Sequence, residues 1–130
     1  MFTIAEIKAA HAKVKTGADY PAYVQDIIKL GVLHYETFVH DNHTAYTGVN
    51  GMKVSSSPTG ELFNVASRSD KQTFLNDIKD HQHGKTDYQT FRKDCAKSGV
   101  EKWVADLSAM TCTYFDLSGN ELLVEKIPSM

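Results

Sequence analysis

Four side chains in the first half of the chain have the types and spacing that could bind a metal ion. His34 and Glu36 are two residues apart, so on a β-strand they would point to one face, about 7 Å apart. His40 lies at the end of the same stretch, and His43 follows it in a loop. Imidazoles and a carboxylate suit zinc or iron. One hypothesis is therefore a small metal-dependent enzyme that uses these four residues.

An internal repeat supports the alternative, a solvated sheet face that binds no metal or other cofactor. A gap-free shift of 68 residues aligns 19–51 with 87–119 and gives eight identical pairs out of 33. Under this alignment, the metal candidates are replaced in the second copy by residues that are not typical metal ligands. The four replacements are Lys102, Val104, Ser108 and Thr111.

The repeat and the local periodicity predict the fold. Apolar residues recur at helical spacing at about 4–16, 20–30, 70–82 and 88–98, and each pair of helices precedes a strand-rich stretch. The strands are expected at 32–39, 44–49, 52–55, 100–107, 111–117 and 121–127, with a short one at 62–66. Strands grouped after helices favour an α+β class with an antiparallel sheet. We expect a single domain, 1–130, made of two ααβββ halves (about 1–66 and 67–130) with the helices on one face and a pseudo-two-fold axis.

Several local signals refine this prediction. Thr3 and Glu6 form a capping-box pattern, and the stretch 69–72 has a similar one. Gly31 follows a helix as a left-handed cap, and its repeat partner is Gly99. The dipeptide 50–51, Asn-Gly, is typical of a type I′ hairpin turn. At each helix–strand junction, the valine and the aromatic residue three positions later are expected on opposite faces of the new strand.

The remaining chemistry-bearing residues have simple structural explanations. Cys95 lies on an apolar helix stripe, Cys112 lies on a strand, and both are expected to be reduced thiols. His81 and His83 suit the end of a helix, and His11 is expected at the edge of the core. Four tyrosines are duplicated between the halves, and they either pack in the core or form a partner or ligand surface. They are Tyr20, Tyr46, Tyr88 and Tyr114.

The composition restricts the class of partner. The chain has 130 residues, 42% of them hydrophobic, and a net charge of −2. Nucleic-acid binding usually needs an excess of Lys and Arg to contact phosphates, so it is not expected. No apolar run approaches the length of a spanning helix, and residues 1–6 show no secretory pattern. We therefore expect a soluble cytoplasmic protein without membrane contact.

The helix–Gly–Val–x–x–aromatic junction carries a family resemblance. In the first half it comprises 31–35, followed by Thr-Ala-Tyr at 44–46, and it recurs at 99–103, followed by a similar strand at 111–115. This pattern resembles an uncharacterised bacterial family loosely labelled "phage envelope protein", whose members occur in prophages. The resemblance covers nearly the whole chain. It implies a shared fold and no catalytic or binding residues.

These observations favour a non-enzymatic binding or regulatory module, possibly derived from a prophage. Its partner, a protein or small molecule, would enter a cleft between the halves or add to an exposed sheet edge. The metal-dependent enzyme described above is the first alternative. A phage structural component, which would self-associate, is the second.

Overall fold

A computed structural model describes residues 2–14 and 19–127 and shows the predicted order of helices and strands. The helices are α1 (Ile4–His11), α2 (Tyr20–Leu30), α3 (Lys71–Gln82) and α4 (Tyr88–Lys97). The strands are β1 (Val32–Phe38), β2 (Thr44–Gly48), β3 (Lys53–Ser55), β4 (Val100–Asp106), β5 (Thr111–Asp116) and β6 (Glu121–Lys126). Within the described ranges, no helix is long and apolar enough to cross a bilayer.

The six strands form one antiparallel sheet in the order β3-β2-β1-β4-β5-β6. Each half contributes three consecutive strands, and the halves join through β1 and β4 at the centre. Tyr35 on β1 lies opposite Tyr46 on one side and Ala105 on the other, so these three side chains share a face. The helices pack on this face, which confirms the predicted α+β class.

Each pair of helices covers a separate cluster of buried side chains. Under α1 and α2, the apolar side chains of Val24 and Ile27 pack with Tyr35 and Tyr46. The second cluster lies under α3 and α4 and includes Phe74, Phe91, Cys95, Val100 and Tyr114. Burial of these apolar groups, at about 25 cal/mol per Å², holds the helices against the sheet.

The register of the central strands obeys the repeat. Tyr35 pairs with Ala105, and Thr37 pairs with Trp103. Adding 68 to the first-half number of each pair gives the second-half number of the other pair. The exchange is what a two-fold axis between β1 and β4 requires. The unusual left-handed residues follow the same rule, since Asn42 (φ 56°) and Met110 (φ 57°) are also 68 residues apart.

The aromatic residues at the two junctions have matching surroundings. The ring centroids of Tyr35 and Tyr46 are 5.6 Å apart, and those of Trp103 and Tyr114 are 5.9 Å apart. The interplanar angles are 42° and 48°. Both copies therefore bury equivalent aromatic pairs.

The prediction that the junction valine and aromatic residue lie on opposite faces is wrong. The pairing of β1 with β2 shifts between Val32 and His34, and the pairing of β4 with β5 shifts at the equivalent place. A β-bulge inserts one extra residue, so residues three apart return to the same face. Val32 and Tyr35 accordingly belong to one buried cluster.

The hairpin at Asn50 also differs from the prediction. A type I′ turn needs positive φ at both central residues, but among residues 49–51 only Gly51 has one, at 82°. Gly51 N donates to Gly48 O, and Gly48 N donates to Met52 O. These bonds close a three-residue loop with glycine last, and the hairpin ending at Gly119 repeats it.

Three other expectations about element boundaries change. The helix predicted for 4–16 ends at His11, and residues 15–16 lie outside the described part of the chain. The segment 62–66 is irregular rather than a strand. The expected capping box at 69–72 is replaced by Asp70, whose side chain accepts a hydrogen bond from Thr73 N. The Thr3–Glu6 capping box and the left-handed Gly31 cap are confirmed.

Candidate functional site

The four metal candidates have different local partners. His34 and Glu36 share the helix-free face of the sheet, where a Glu36 carboxylate oxygen lies 2.9 Å from Lys102 Nζ. His40 Nδ1 lies 2.7 Å from Phe63 O. His43 Nδ1 lies 2.6 Å from an Asp41 carboxylate oxygen. Searching residues 2–14 and 19–127 for three or more His, Cys, Asp or Glu side chains that could hold one ion finds no such group.

The duplicated tyrosines occupy two kinds of position. Tyr46 and Tyr114 are buried, each 9% exposed, and Tyr88 is exposed. Tyr20 is half-buried, and its hydroxyl lies 2.5 Å from that of Tyr35. The Tyr88 hydroxyl donates to the Asn42 side chain at 2.6 Å.

Burial disfavours the charged phenolate form of these tyrosines. It raises the pKa of Tyr20 and of Tyr88 to about 12. The pKa values of Tyr46 and Tyr114 are also raised, mainly by burial. All four hydroxyls therefore stay protonated at neutral pH and act as hydrogen-bonding groups rather than as bases.

The cysteines and the other histidines occupy local packing positions. Cys95 and Cys112 are free thiols, and burial raises the pKa of Cys112 to about 11. A thiol with a raised pKa is a weak nucleophile at neutral pH. His81 stacks on Phe91 with ring centroids 4.5 Å apart. His11 is exposed rather than at the core edge, although its ring meets Tyr23 edge-on.

A surface depression lies where β1 and β4 meet the segment that connects the halves. Its volume is about 250 Å³. We call it the Phe38 depression, and it is lined by Phe38, His40, Val65, Glu101 and Leu117. Only His40 was a candidate in the sequence analysis. The site combines aromatic, aliphatic and acidic groups that come from both halves.

Phe38 forms the aromatic part of this site, and its ring has two charged or polar neighbours. The His43 ring stacks on it, with centroids 4.5 Å apart and planes 7° from parallel. The Lys102 ammonium lies 5.6 Å from the centroid of the Phe38 ring. The ring is therefore held in place by neighbours from both halves and attracts positive charge to its face.

His40 is held in a defined tautomer. A carbonyl oxygen can only accept, so the contact between His40 Nδ1 and Phe63 O places the proton on Nδ1. The neutral ring then has an unprotonated Nε2 that can accept a hydrogen bond. Phe63 N donates to His40 O at 2.9 Å, so the two residues are joined by two bonds.

Arg92 anchors the connecting segment that forms one wall of the depression. Its side chain is fully buried and donates to Val39 O at 2.6 Å and to Glu61 O at 2.5 Å. Its guanidinium lies 4.4 Å from the Phe63 ring centroid. Arg92 thus links α4, the end of β1 and the segment around Phe63.

This anchor breaks the repeat. The counterpart of Arg92 in the first half is Val24, which is also fully buried. A buried arginine needs hydrogen-bond partners that a valine does not, and here backbone carbonyls supply them. The sequence signal was an arginine on an apolar helix stripe where the other copy has valine. Its partners, more than 30 residues away, could not be seen from sequence.

The fold and this site define an α+β protein with a duplicated ααβββ unit and a two-sided surface depression. The chain belongs to a family described as "Protein of unknown function (DUF1398)", which matches residues 8–126. No curated protein matches it.

Proposed function

We propose that this protein is a small, non-enzymatic protein-binding module, and that the Phe38 depression receives one anchor side chain of its partner. The observation that carries the proposal is the convergence of Phe38, Val65 and Leu117 around a concave surface. Protein interfaces draw most of their affinity from a few side chains that fill such pockets.

The size of the depression favours a protein partner over a small molecule. Its volume of about 250 Å³ lies below the roughly 300–1,000 Å³ of typical ligand and cofactor pockets. It suits a single side chain. An extended partner would then lie across the neighbouring, helix-free sheet face.

Strand addition at a sheet edge is less well supported. β3 is only three residues long, and short edge strands offer few free backbone groups. β6 is longer, but Glu121, Glu125 and Lys126 place charges along it. Charged edge strands are a common device against pairing with other chains. We therefore favour the depression over the edges.

The proposal also includes a single domain, a cytoplasmic location and a prophage origin. The location is supported by the two free thiols, which suit a reducing compartment. The prophage origin rests on the sequence resemblance described above.

A peptide selection tests the proposal. Random 12-residue peptides would be selected on the immobilised full-length chain, and the affinities of the enriched peptides measured by calorimetry. Leu117→Asp should weaken binding about tenfold or more, because a carboxylate in the apolar wall must be desolvated. Leu117 is 47% exposed, so the fold should tolerate the change.

Val49→Asp is the matched control. Val49 is the repeat counterpart of Leu117, is 71% exposed, and lies at the other hairpin. It should leave the peptide affinities unchanged. Equal binding by wild type and Leu117→Asp, or equal losses in both variants, would contradict the proposal, as would a selection that enriches no peptide.

A further inference from the structure

From the charges and acceptors around the Phe38 depression, we infer that its occupant is a basic side chain, lysine or arginine, of the partner protein. This inference rests on the proposed function and specifies the chemistry of the anchor residue. It makes the depression a recognition site for a cation carried on an aliphatic stem.

Glu101 supplies the charge. It is half-buried at the wall of the depression, and within the part of the chain that the structure describes it forms no ion pair. Its backbone oxygen accepts from Val39 N, which fixes the position of the main chain from which the carboxylate projects. An unpaired, half-buried carboxylate is stabilised when a cation approaches.

The other lining groups are acceptors or apolar. Nε2 of neutral His40 can accept a hydrogen bond because the Nδ1 proton points to Phe63 O. The face of the Phe38 ring attracts cations. Val65 and Leu117 offer aliphatic surface for the methylene stem of lysine or arginine.

Nearby positive charges do not oppose such an occupant. Lys102 is paired with Glu36 at 2.9 Å, so these two residues cancel and Glu101 leaves the local sum at −1. Arg92 is fully buried, and its guanidinium donates to backbone carbonyls. An anionic side chain would instead meet Glu101 without a free cation to pair with it.

Small probes of matched shape test this inference without knowledge of the partner. The ¹H–¹⁵N spectrum of the full chain would be titrated with n-butylammonium, n-butylguanidinium, n-pentanol and valerate. The two cations should shift the amides of the depression, at 38–40, 65, 101 and 117. They should bind about fivefold more tightly than n-pentanol, since an exposed ion pair and a cation–π contact each contribute modestly.

Glu101→Gln keeps the shape of the side chain and removes its charge. It should reduce the preference for cations over n-pentanol to within about twofold. Asp26→Asn is the control, because it makes the same charge change on α2, at the other face of the sheet. Equal binding of n-pentanol and the cations, tighter binding of valerate, or an unchanged preference in Glu101→Gln would overturn the inference.

The peptide selection separates this inference from the proposed function. Enriched peptides that depend on Leu117 and require a lysine or arginine support both. Enriched peptides that depend on Leu117 but tolerate norleucine at every basic position support the proposed function and overturn the inference. Peptides that do not depend on Leu117 contradict the proposed function, whatever residues they contain.

Discussion

Glu36 and Val104 face each other across the two central strands, and they are 68 residues apart in the chain. This separation equals the offset of the sequence repeat, so the pair lies on the pseudo-two-fold axis. Every other pair in this register has a symmetry partner: His34 with Asp106, for example, corresponds to Phe38 with Lys102. The axis allows each position in one half to be compared with a built-in control in the other.

Gly31 and Gly99 provide the first such comparison. Both have positive φ, 103° and 83°, so alanine at either costs about 1–2 kcal/mol from the left-handed backbone. A Cβ at Gly99 would also lie 2.6 Å from Arg68 O, whereas at Gly31 the nearest atom, in the Phe2 side chain, is 4.0 Å away. Urea denaturation should show Gly99→Ala to be the more destabilising by about 1 kcal/mol or more. Equal losses would contradict the close backbone contact.

The Arg92 anchor leads to a second prediction. Arg92→Met should lower the free energy of unfolding by about 2–4 kcal/mol, because two buried carbonyls, Val39 O and Glu61 O, lose their donor. Hydrogen exchange should accelerate at the amide of Phe63, which the anchor holds near His40. Lys93→Met removes the same charge from an exposed position of α4 and should change stability by less than about 0.5 kcal/mol. Similar losses in the two variants would contradict the anchor.

Sequence reasoning reached those features that depend on short-range chemistry. The order of elements, the Gly31 cap and the Thr3 capping box each follow from residues a few positions apart. The bulge at Val32 was missed because alternation with period two was assumed to begin at the first residue of the strand. The site was missed because Phe38, Val65 and Glu101 lie far apart in the chain, and packing alone brings them together.

The Tyr20–Tyr35 hydroxyl pair leads to a third prediction. Tyr20→Phe and Tyr35→Phe should each cost about 1 kcal/mol, and the double variant should cost less than their sum, because both remove the same hydrogen bond. Tyr88 is the counterpart of Tyr20, but it faces Trp103, which has no hydroxyl. Tyr88→Phe should therefore combine additively with Tyr35→Phe. Thermal unfolding of the five variants checks this, and full additivity of Tyr20→Phe with Tyr35→Phe would contradict the coupling.

The titration of the tyrosines gives a fourth prediction. Burial raises the pKa of Tyr20 and Tyr88 to about 12 and raises those of Tyr23, Tyr35, Tyr46 and Tyr114 as well. A raised pKa means that the unfolded chain releases its phenolic protons first. Stability should thus be constant below pH 10 and fall between about pH 10 and 12. Near-ultraviolet absorbance and circular dichroism should show phenolate appearing together with loss of structure; free ionisation near pH 10 in the folded protein would contradict this.

The axis through Glu36 and Val104 has a consequence for the origin of the chain. A strand that pairs with its own copy about such an axis is self-complementary, so β1–β4 is the interface by which two identical ancestral halves would have formed a homodimer before gene fusion. The second half still has an apolar residue on the axis, whereas two first halves would oppose two Glu36 carboxylates. We therefore expect residues 67–127, produced alone, to dimerise more readily than the first half, and a strictly monomeric second half in ultracentrifugation would argue against this history.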